Sequence, residues 1–326
     1  MLGFRKSNRM APLITIGITS FNAERHIAGA ISSAVAQSWE PLEIVVVDDR
    51  SSDQTFELVE QIAKKHPQLR LFRQSHNSGV AAARNRIIAE ARGDFLAFFD
   101  DDDMSDPERV AKQYRRIVEY EARIPERVPL VCHTARRQIA RDGTERVERT
   151  MGCSQEREAP HGLAVAGRLL WGEPVEDGYG AVATCSQMAR TSTYIELGGF
   201  DPAFRRSEDM EFCVRVARAG GHFIGIAEPL VTQTLTYSFD KSLDKELHYK
   251  LQVIDKHETA FKNKEHYRFS REWMKTKYLW LRGDQPAFIR KLMISAITHP
   301  FLTWSRLWYA LPQLDSNRSF SLFHRK

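Results

Sequence analysis

Four consecutive aspartates, Asp100 to Asp103, form the densest cluster of reactive groups in the chain. They follow the apolar run Phe95-Leu96-Ala97-Phe98-Phe99, which Gly93-Asp94 bounds upstream. A short aromatic run of this kind predicts a strand covered on both faces, delivering carboxylates to its C-terminal end. Like charges so close repel and raise one another's pKa unless a cation neutralises them. Hard oxygen ligands suit Mg²⁺ or Mn²⁺, which bind one or two carboxylates together with substrate phosphates. A solvated acidic loop is the competing reading. The apolar strand before the block weighs against it, as does a second run of the same form, Leu42 to Val47, ending in Asp48-Asp49. A further acidic pair, Glu208-Asp209, precedes the helical segment Met210 to Ala219. Alone, that pair could be an ordinary first turn that complements a helix dipole.

The flanking sequence alternates strand and helix. Leu13 to Thr19 is a β-branched strand broken by Ser20-Phe21-Asn22, and Glu24 to Gln37 carries Ile27, Ala30, Ile31, Ala34 and Val35 at a helical period. Ser51-Ser52-Asp53 offers N-cap chemistry to a helix through Phe56, Leu58, Val59 and Ile62. Leu69 to Phe72 is a third strand, Asn77-Ser78-Gly79 a turn, and Val80 to Ala91 an alanine-rich helix. This alternation predicts an α/β fold with a mostly parallel central sheet flanked by helices and right-handed crossovers. Ligands of such sheets bind beyond the carboxyl ends of the strands. Phe21, Asp49 and Asp102 then lie on three loops around one crevice.

Downstream, Pro107 opens a helix to about Tyr120, and Val128 to Thr134 reads as a strand. Asp142-Gly143 is a hairpin turn between 136–140 and 145–149. Leu163 to Trp171 is helical, Ala181 to Ala189 a strand, and Leu197 to Pro202 a turn cluster. Gly220-Gly221 stops the helix begun at Glu208-Asp209, and Phe223 to Ile226 is a last strand. Beyond about residue 238 the pattern is helical, basic and aromatic.

With 326 residues, 42% of them apolar, the chain can build a sizeable core and is not disordered. A net charge of +5 is too weak to argue for nucleic acid; it fits an anionic ligand or an anionic membrane surface. Cys132, Cys153, Cys185 and Cys213 are widely spaced, so neither a zinc site nor a disulfide framework is indicated. His76, His133 and His222 lack metal-ligand spacing and read as lone core or surface residues. No leader-like segment and no apolar stretch long enough to span a bilayer is evident, which predicts a cytoplasmic protein.

Four segments together resemble glycosyltransferase family 2: ITIGITSFN at 14–22, LEIVVVDDRSSDQT at 42–55, GDFLAFFDDDD at 93–103 and GGFDPAFRRSED at 198–209. Their order and spacing make the resemblance specific, and it covers roughly residues 11 to 235. It implies a GT-A fold and an inverting enzyme with a nucleotide-sugar donor, UDP-linked as first choice. Thr19 and Phe21 match the family's first loop, where an aromatic side chain packs on the base; Phe keeps the stacking face of the commoner Tyr. Glu24 matches an acid that helps hold the nucleoside, Asp49 the carboxylate that accepts from the base, and Arg84 a basic position near the diphosphate. Asp100 and Asp102 fill the fixed places of the DxD motif, with a third aspartate, Asp101, between them. Asp102 is the expected direct metal ligand, with Asp100 and Asp101 positioning metal, ribose or sugar. Glu208-Asp209 matches the acceptor-side ED pair, with Asp209 as general base. One base and one metal site suffice for inversion, because the leaving diphosphate needs a cation rather than an acid. Asp48 and Asp53 read as structural and capping residues.

The resemblance divides the chain into a GT-A domain at 11–237, with a nucleotide-sugar-binding half at 11–106 and an acceptor half at 107–237, and a helical extension at 238–326. The acceptor it implies is a saccharide or lipid-linked hydroxyl in cell-surface polysaccharide synthesis. Two other readings remain: a sugar-1-phosphate nucleotidyltransferase, and a non-catalytic carbohydrate-binding protein of the same fold. The first needs a glycine-rich phosphate loop, which Thr19-Ser20-Phe21-Asn22 is not; the second is disfavoured by the intact acids. No GxGxxG follows any strand, which disfavours a nicotinamide-dependent enzyme. In the extension, residues 288–311 carry an apolar and aromatic stripe with Arg290, Lys291 and Arg306. Core packing, an oligomer contact and peripheral contact with the inner membrane face all fit such a stripe.

Overall fold

A computed structural model describes residues 11–140, 142–234 and 242–310. Its first half is the expected alternation: β1 (Ile14–Ser20), α1 (Ile27–Val35), β2 (Leu42–Asp48), α2 (Thr55–Ala63), β3 (Leu69–Arg73), α3 (Val80–Glu90) and β4 (Phe95–Asp100). β3, β2, β1 and β4 pair in parallel in that order. Period-two burial on both faces explains their apolar runs. Phe95, Ala97 and Phe99 enter one core with Ile14, Ile16 and Ile18, while Leu96 and Phe98 enter another with Val45 and Val47.

The sheet continues with β5 (Asp103–Ser105), α4 (Arg109–Glu121), β6 (Leu130–Ile139), β7 (Glu145–Glu148), α5 (Gly162–Trp171), β8 (Gln187–Arg190), α6 (Thr191–Glu196), α7 (Glu208–Arg218) and β9 (His222–Thr234). Here the parallel rule lapses. β8 pairs antiparallel with β4 and β6, β7 with β6 and β5 with β9, whereas β6 and β9 run parallel. The sheet is therefore mixed, and its order is β3-β2-β1-β4-β8-β6-β9-β5 with β7 branching from β6.

Two expected strands differ in extent. Residues 181–189 do not form one strand: Thr184–Ser186 is a 3-10 turn, and β8 starts only at Gln187. Ser186 donates both its N–H and its hydroxyl to the Ala183 carbonyl, a local bond that competes with the ladder. β9 does not stop at Ile226 but runs on to Thr234. Ala227-Glu228-Pro229 hides this, because the pairing shifts from Thr134–Ile226 to Ala135–Pro229, a bulge that accommodates the proline.

Beyond the sheet lie α8 (Leu243–Lys256), α9 (Lys264–Arg282), α10 (Gln285–Thr298) and α11 (Pro300–Ala310). Ser242 and Asn263 cap α8 and α9 by accepting from Lys245 N–H and His266 N–H. A third core joins α8 to the sheet domain: Val253, Ile254 and Phe261 pack on Leu170, Phe204, Met210 and Val214. Among the described residues no helix is long and apolar enough to cross a membrane.

Candidate active site

Three loops at the carboxyl ends of β1, β2 and β4 meet, and hydrogen bonds lock them together. Asn22, in a left-handed conformation, accepts from Ser52 N–H at 2.8 Å while its own N–H donates to Ser51 Oγ at 3.0 Å. Glu24 and Asp53 exchange bonds across the same seam. Glu24 N–H donates to Asp53 Oδ2, and Glu24 Oε2 accepts from Gln54 N–H, both at 3.2 Å. Glu24 is thus exposed and engaged with the neighbouring loop. The residue at the N-cap of α2 is Gln54, without a side-chain cap bond; Asp53 lies one position before it and its Oδ1 accepts from Thr55 N–H at 3.0 Å, while Ser51 and Ser52 serve the seam. These bonds hold the Asp53 carboxyl below its ordinary value although burial opposes them. Asp48 is wholly buried, accepts from Ser51 N–H and lies 3.2 Å from Arg73 Nε, a structural role.

Asp49 is buried at the end of β2. Its two oxygens accept from Ser78 N–H and Gly79 N–H, each at 2.8 Å, and so anchor the turn that opens α3. Gly79 has φ +90°, and a Cβ there would press on the Arg205 side chain at 3.2 Å. Thr19 is half-buried between Val47 of β2 and Asp100 of β4. Phe21 presents an exposed ring at the mouth, and its N–H donates to Asp101 Oδ2 at 3.0 Å.

Arg84 of α3 holds the centre. Buried beside the Phe98 and Phe200 rings, it donates from Nη1 to Glu208 Oε1 at 2.5 Å and from Nη2 to Asp100 Oδ1 at 3.3 Å. Burial alone would lower the guanidinium's pKa; Glu208, Asp100 and Asp209 together more than offset that and raise it. Burial in turn raises Glu208, and Arg84 pulls it back. Acids from the end of β4 and from the start of α7 thus share one counter-charge.

The next residue fixes the turn before α7. Asn85 Nδ2 donates to the Phe200 carbonyl and its Oδ1 accepts from Phe200 N–H, both at 2.7 Å. A Cβ on Gly199, whose φ is +67°, would meet that Oδ1 at 2.4 Å. Ser207 then takes a left-handed φ of 62°, a strained conformation for a residue with a Cβ, and launches α7. Glu208 turns inward to Arg84. Asp209 is half-buried, and its Oδ1 accepts from Met210 N–H at 2.6 Å.

The aspartate block divides its labour. Asp100 faces Arg84, and burial with neighbouring Asp102 pushes Asp101 up to about 8. Asp103 opens β5 instead of joining the loop. It is buried, and neither of its oxygens has a hydrogen-bond partner of ordinary geometry. Burial, Asp100 and Asp102 hold its pKa well above the ordinary value. Two buried arginines balance this cluster from behind. Arg136 reaches Cys185 Sγ and Glu148, and Arg109 donates to the Phe98 carbonyl at 2.8 Å and lies over the Phe99 ring. Asp100, Asp103 and Cys185 bring one ligand atom each within 4.8 Å of one another. Orphaned carboxylate oxygens beside Asp100 and Asp102 are a donor set that fits a hard divalent cation.

A second titratable group lies at the opposite end of β9. His222 is not alone: it stacks on His161 at 4.4 Å, bonds Tyr120 and comes near Glu158. The rings are nearly parallel, so no single point lies in the plane of both where one ion could meet both nitrogens. His133 is buried against Gln187, and burial lowers it to about 3. All four cysteines are free.

Residues 15–155 match the model of glycosyl transferase family 2. Over 108 residues the chain is 32% identical to a Bacillus subtilis protein described as the putative teichuronic acid biosynthesis glycosyltransferase TuaG, covering 33% of this chain and 43% of that one. The chain spans less than half the length of the curated relatives it matches first. Staphylococcus aureus TarS 1-349, solved in complex with UDP-GlcNAc, superposes with a TM-score of 0.55 at 16% identity over 86% of this chain and 79% of that one. The mannosyltransferase PcManGT from Pyrobaculum calidifontis, solved with GDP-Man and Mn²⁺, gives 0.55 at 17% identity over 93% and 87%. The fold is of the GT-A type, and the chain carries a glycosyl transferase family 2 domain.

Proposed function

We propose that the protein is an inverting glycosyltransferase that moves a sugar from a nucleotide diphosphate donor to an acceptor hydroxyl. The observation that carries this reading is the Arg84 bridge, which ties the donor-side Asp100 to Glu208 at the start of α7 in one crevice. Phe21 supplies an exposed aromatic face for the base, with Thr19 at its floor and Asp49 holding the adjoining turn. A UDP-sugar is the donor we favour, in keeping with a TarS structure that contains UDP-GlcNAc.

Asp102 and Asp100, with Asp103 beside them, would hold Mn²⁺ or Mg²⁺. Such an ion, when bound, neutralises charge on a leaving diphosphate. Asp101, bonded to the Phe21 amide, orders the loop that carries the base-stacking ring. Glu208 is spent on Arg84, which leaves its neighbour Asp209 to take the acceptor proton as the hydroxyl attacks. Left-handed Ser207 sets the direction in which that carboxylate leaves the helix. The acceptor we propose is a saccharide or lipid-linked hydroxyl of a cell-surface polysaccharide, on the cytoplasmic side, in keeping with the name of TuaG.

The test is a panel of nucleotide sugars incubated with the full chain and Mn²⁺, with diphosphonucleoside release as readout. Release from one donor class, abolished by chelator and by Asp102→Asn, is the expected result. Full turnover in excess chelator would remove the metal from this account, and no release from any donor would remove the activity.

A further inference from the structure

A helix lying on a water-soluble protein normally turns its apolar stripe to the core and its charges to solvent. α10 and α11 do the reverse. α10 buries no residue, and α11 buries only Thr303 and Arg306. Lys291, Arg306 and the corner residue His299 turn toward α9, while Arg290 is exposed. Lys291 Nζ donates to Glu272 Oε2 at 2.7 Å, His299 Nδ1 lies 3.1 Å from Glu265 Oε1, and Arg306 Nη2 donates to Ser270 Oγ at 2.8 Å. The large apolar side chains point away from the protein. Ile289, Met293 and Ile297 follow one another at four-residue spacing along α10, and Phe301, Trp304 and Trp308 at helical spacing along α11. Each is more than half exposed, and Ile297 and Phe301, on either side of the corner between the helices, reach 81% and 89%.

Charge singles out the occupant. From Gln285 to Ala310 the sequence has no acidic residue, while Arg290, Lys291 and Arg306 are basic. The remaining residues to Lys326 add three basic residues and a single acid. A second copy of the chain could cover the apolar rows. A two-fold contact, however, would set this acid-free strip against itself and offer the exposed Arg290 no acidic partner from the strip. A surface rich in anionic lipid satisfies both features. Apolar rows enter the boundary between headgroups and acyl chains, tryptophan rings sit at headgroup depth, and the exposed Arg290 meets the negative potential.

We infer that the outward face of α10 and α11 is a docking surface for an anionic lipid membrane. The surface is coupled to the acceptor side of the crevice. α9 packs on α8, and α8 joins α7 through the shared core and through Lys256 and His257, both against Glu211. If the proposed function holds, this orients the Asp209 end of α7 toward acceptors presented by the bilayer. Vesicle binding itself does not depend on that function.

The full chain is sedimented with vesicles of phosphatidylcholine alone or mixed with phosphatidylglycerol. Wild-type protein is expected to pellet with the mixed vesicles, less so as salt rises. Its tryptophan fluorescence should be quenched by lipids brominated near the headgroup. Phe301→Ser, Trp304→Ser and Trp308→Ser combined should lower the partition coefficient on the order of 10²-fold, with melting temperature and donor affinity unchanged. Arg290→Glu, in an otherwise native chain, should weaken binding to the anionic vesicles alone, which covers the case of an unstable triple variant. Wild-type protein that stays in the supernatant overturns the inference. So does a light-scattering mass of a dimer that the serine substitutions dissociate, without vesicle binding.

Discussion

The parallel half of the sheet and the C-terminal helix pair are about equally apolar in sequence, yet they use that apolarity in opposite directions. In β4 every residue from Phe95 to Phe99 is buried, alternately in two cores, and the charges collect at the strand end. In α10 and α11 Lys291 and Arg306 face the protein, and large apolar side chains, Ile297, Phe301, Trp304 and Trp308 among them, face out. Hydrophobicity alone therefore does not say where a segment is buried; what a segment packs against does. The first region has partners on both faces, α1 and α4 on one side, α3 and α7 on the other. The second packs mainly on α9, with Arg306 also beside Gly172 at the end of α5, and polar contacts such as Lys291–Glu272 and Arg306–Ser270 join it to α9.

That contrast can be broken by matched truncations. Phe98→Ala should cost about 3–5 kcal/mol, because a fully buried ring leaves a cavity between Tyr194 and Phe200. Trp304→Ala, a larger truncation, should change stability by no more than about 0.5 kcal/mol, as exposed substitutions do. Chemical denaturation of both variants checks this. A Trp304→Ala loss comparable to that of Phe98→Ala would mean that the C-terminal face is covered in the native chain.

Arg84 gives the next effect in size. Removing it strands Glu208 as a buried, unpaired carboxylate, so Arg84→Met should destabilise by roughly 3–5 kcal/mol. Glu208→Gln in the same chain should recover part of that loss, since the stranded charge is gone. Denaturation midpoints of the single and double variants decide it; additive losses would show that the two side chains do not interact as a pair.

How much of this was legible beforehand follows the same division. Strands β1 to β4 were plain, because burial on both faces leaves uninterrupted apolar runs. Their terminal acids stand out for the same reason, although Asp48 is taken up by Arg73 and Asp49 by the turn before α3. The Arg84–Glu208 pair was not, since 124 positions separate its members and only the fold brings them together. Asp103 hid inside its own block, and its balancing arginines hid in amphipathic patterns. Arg109 shares the buried stripe of α4 with Val110, Ile117 and Tyr120, a sign that could have marked it as a core cation, and Arg136 lies within the buried run of β6. β9 was cut short in the reading because Pro229 interrupts it, and the 3-10 turn at Thr184–Ser186 arises from a serine bond that no apolar period reports. The outward face of α10 and α11 could not be told from a core stripe, because period does not encode direction.

A smaller effect concerns pH. Asp101 releases its proton near 3.8 when unfolded but near 8 in the folded chain. The folded state therefore binds the extra proton between those values, and this group's contribution to stability falls as pH rises through that window. In chelator, Asp101→Asn should gain melting temperature relative to wild type as pH is raised from 5 to 8. Mn²⁺ should narrow the gap by neutralising the block. A gap independent of pH would mean that Asp101 keeps an ordinary carboxyl.

Asp209 remains the most direct test of the account, which makes it the base beside an Arg84-bound Glu208. One preparation of Asp209→Asn serves for transfer rate, donor affinity and melting temperature. The account predicts a rate lower by about 10²–10⁴, with donor affinity and melting temperature close to wild type. Near-normal transfer with a lowered melting temperature would contradict it, leaving Asp209 as a helix-opening residue and the base elsewhere.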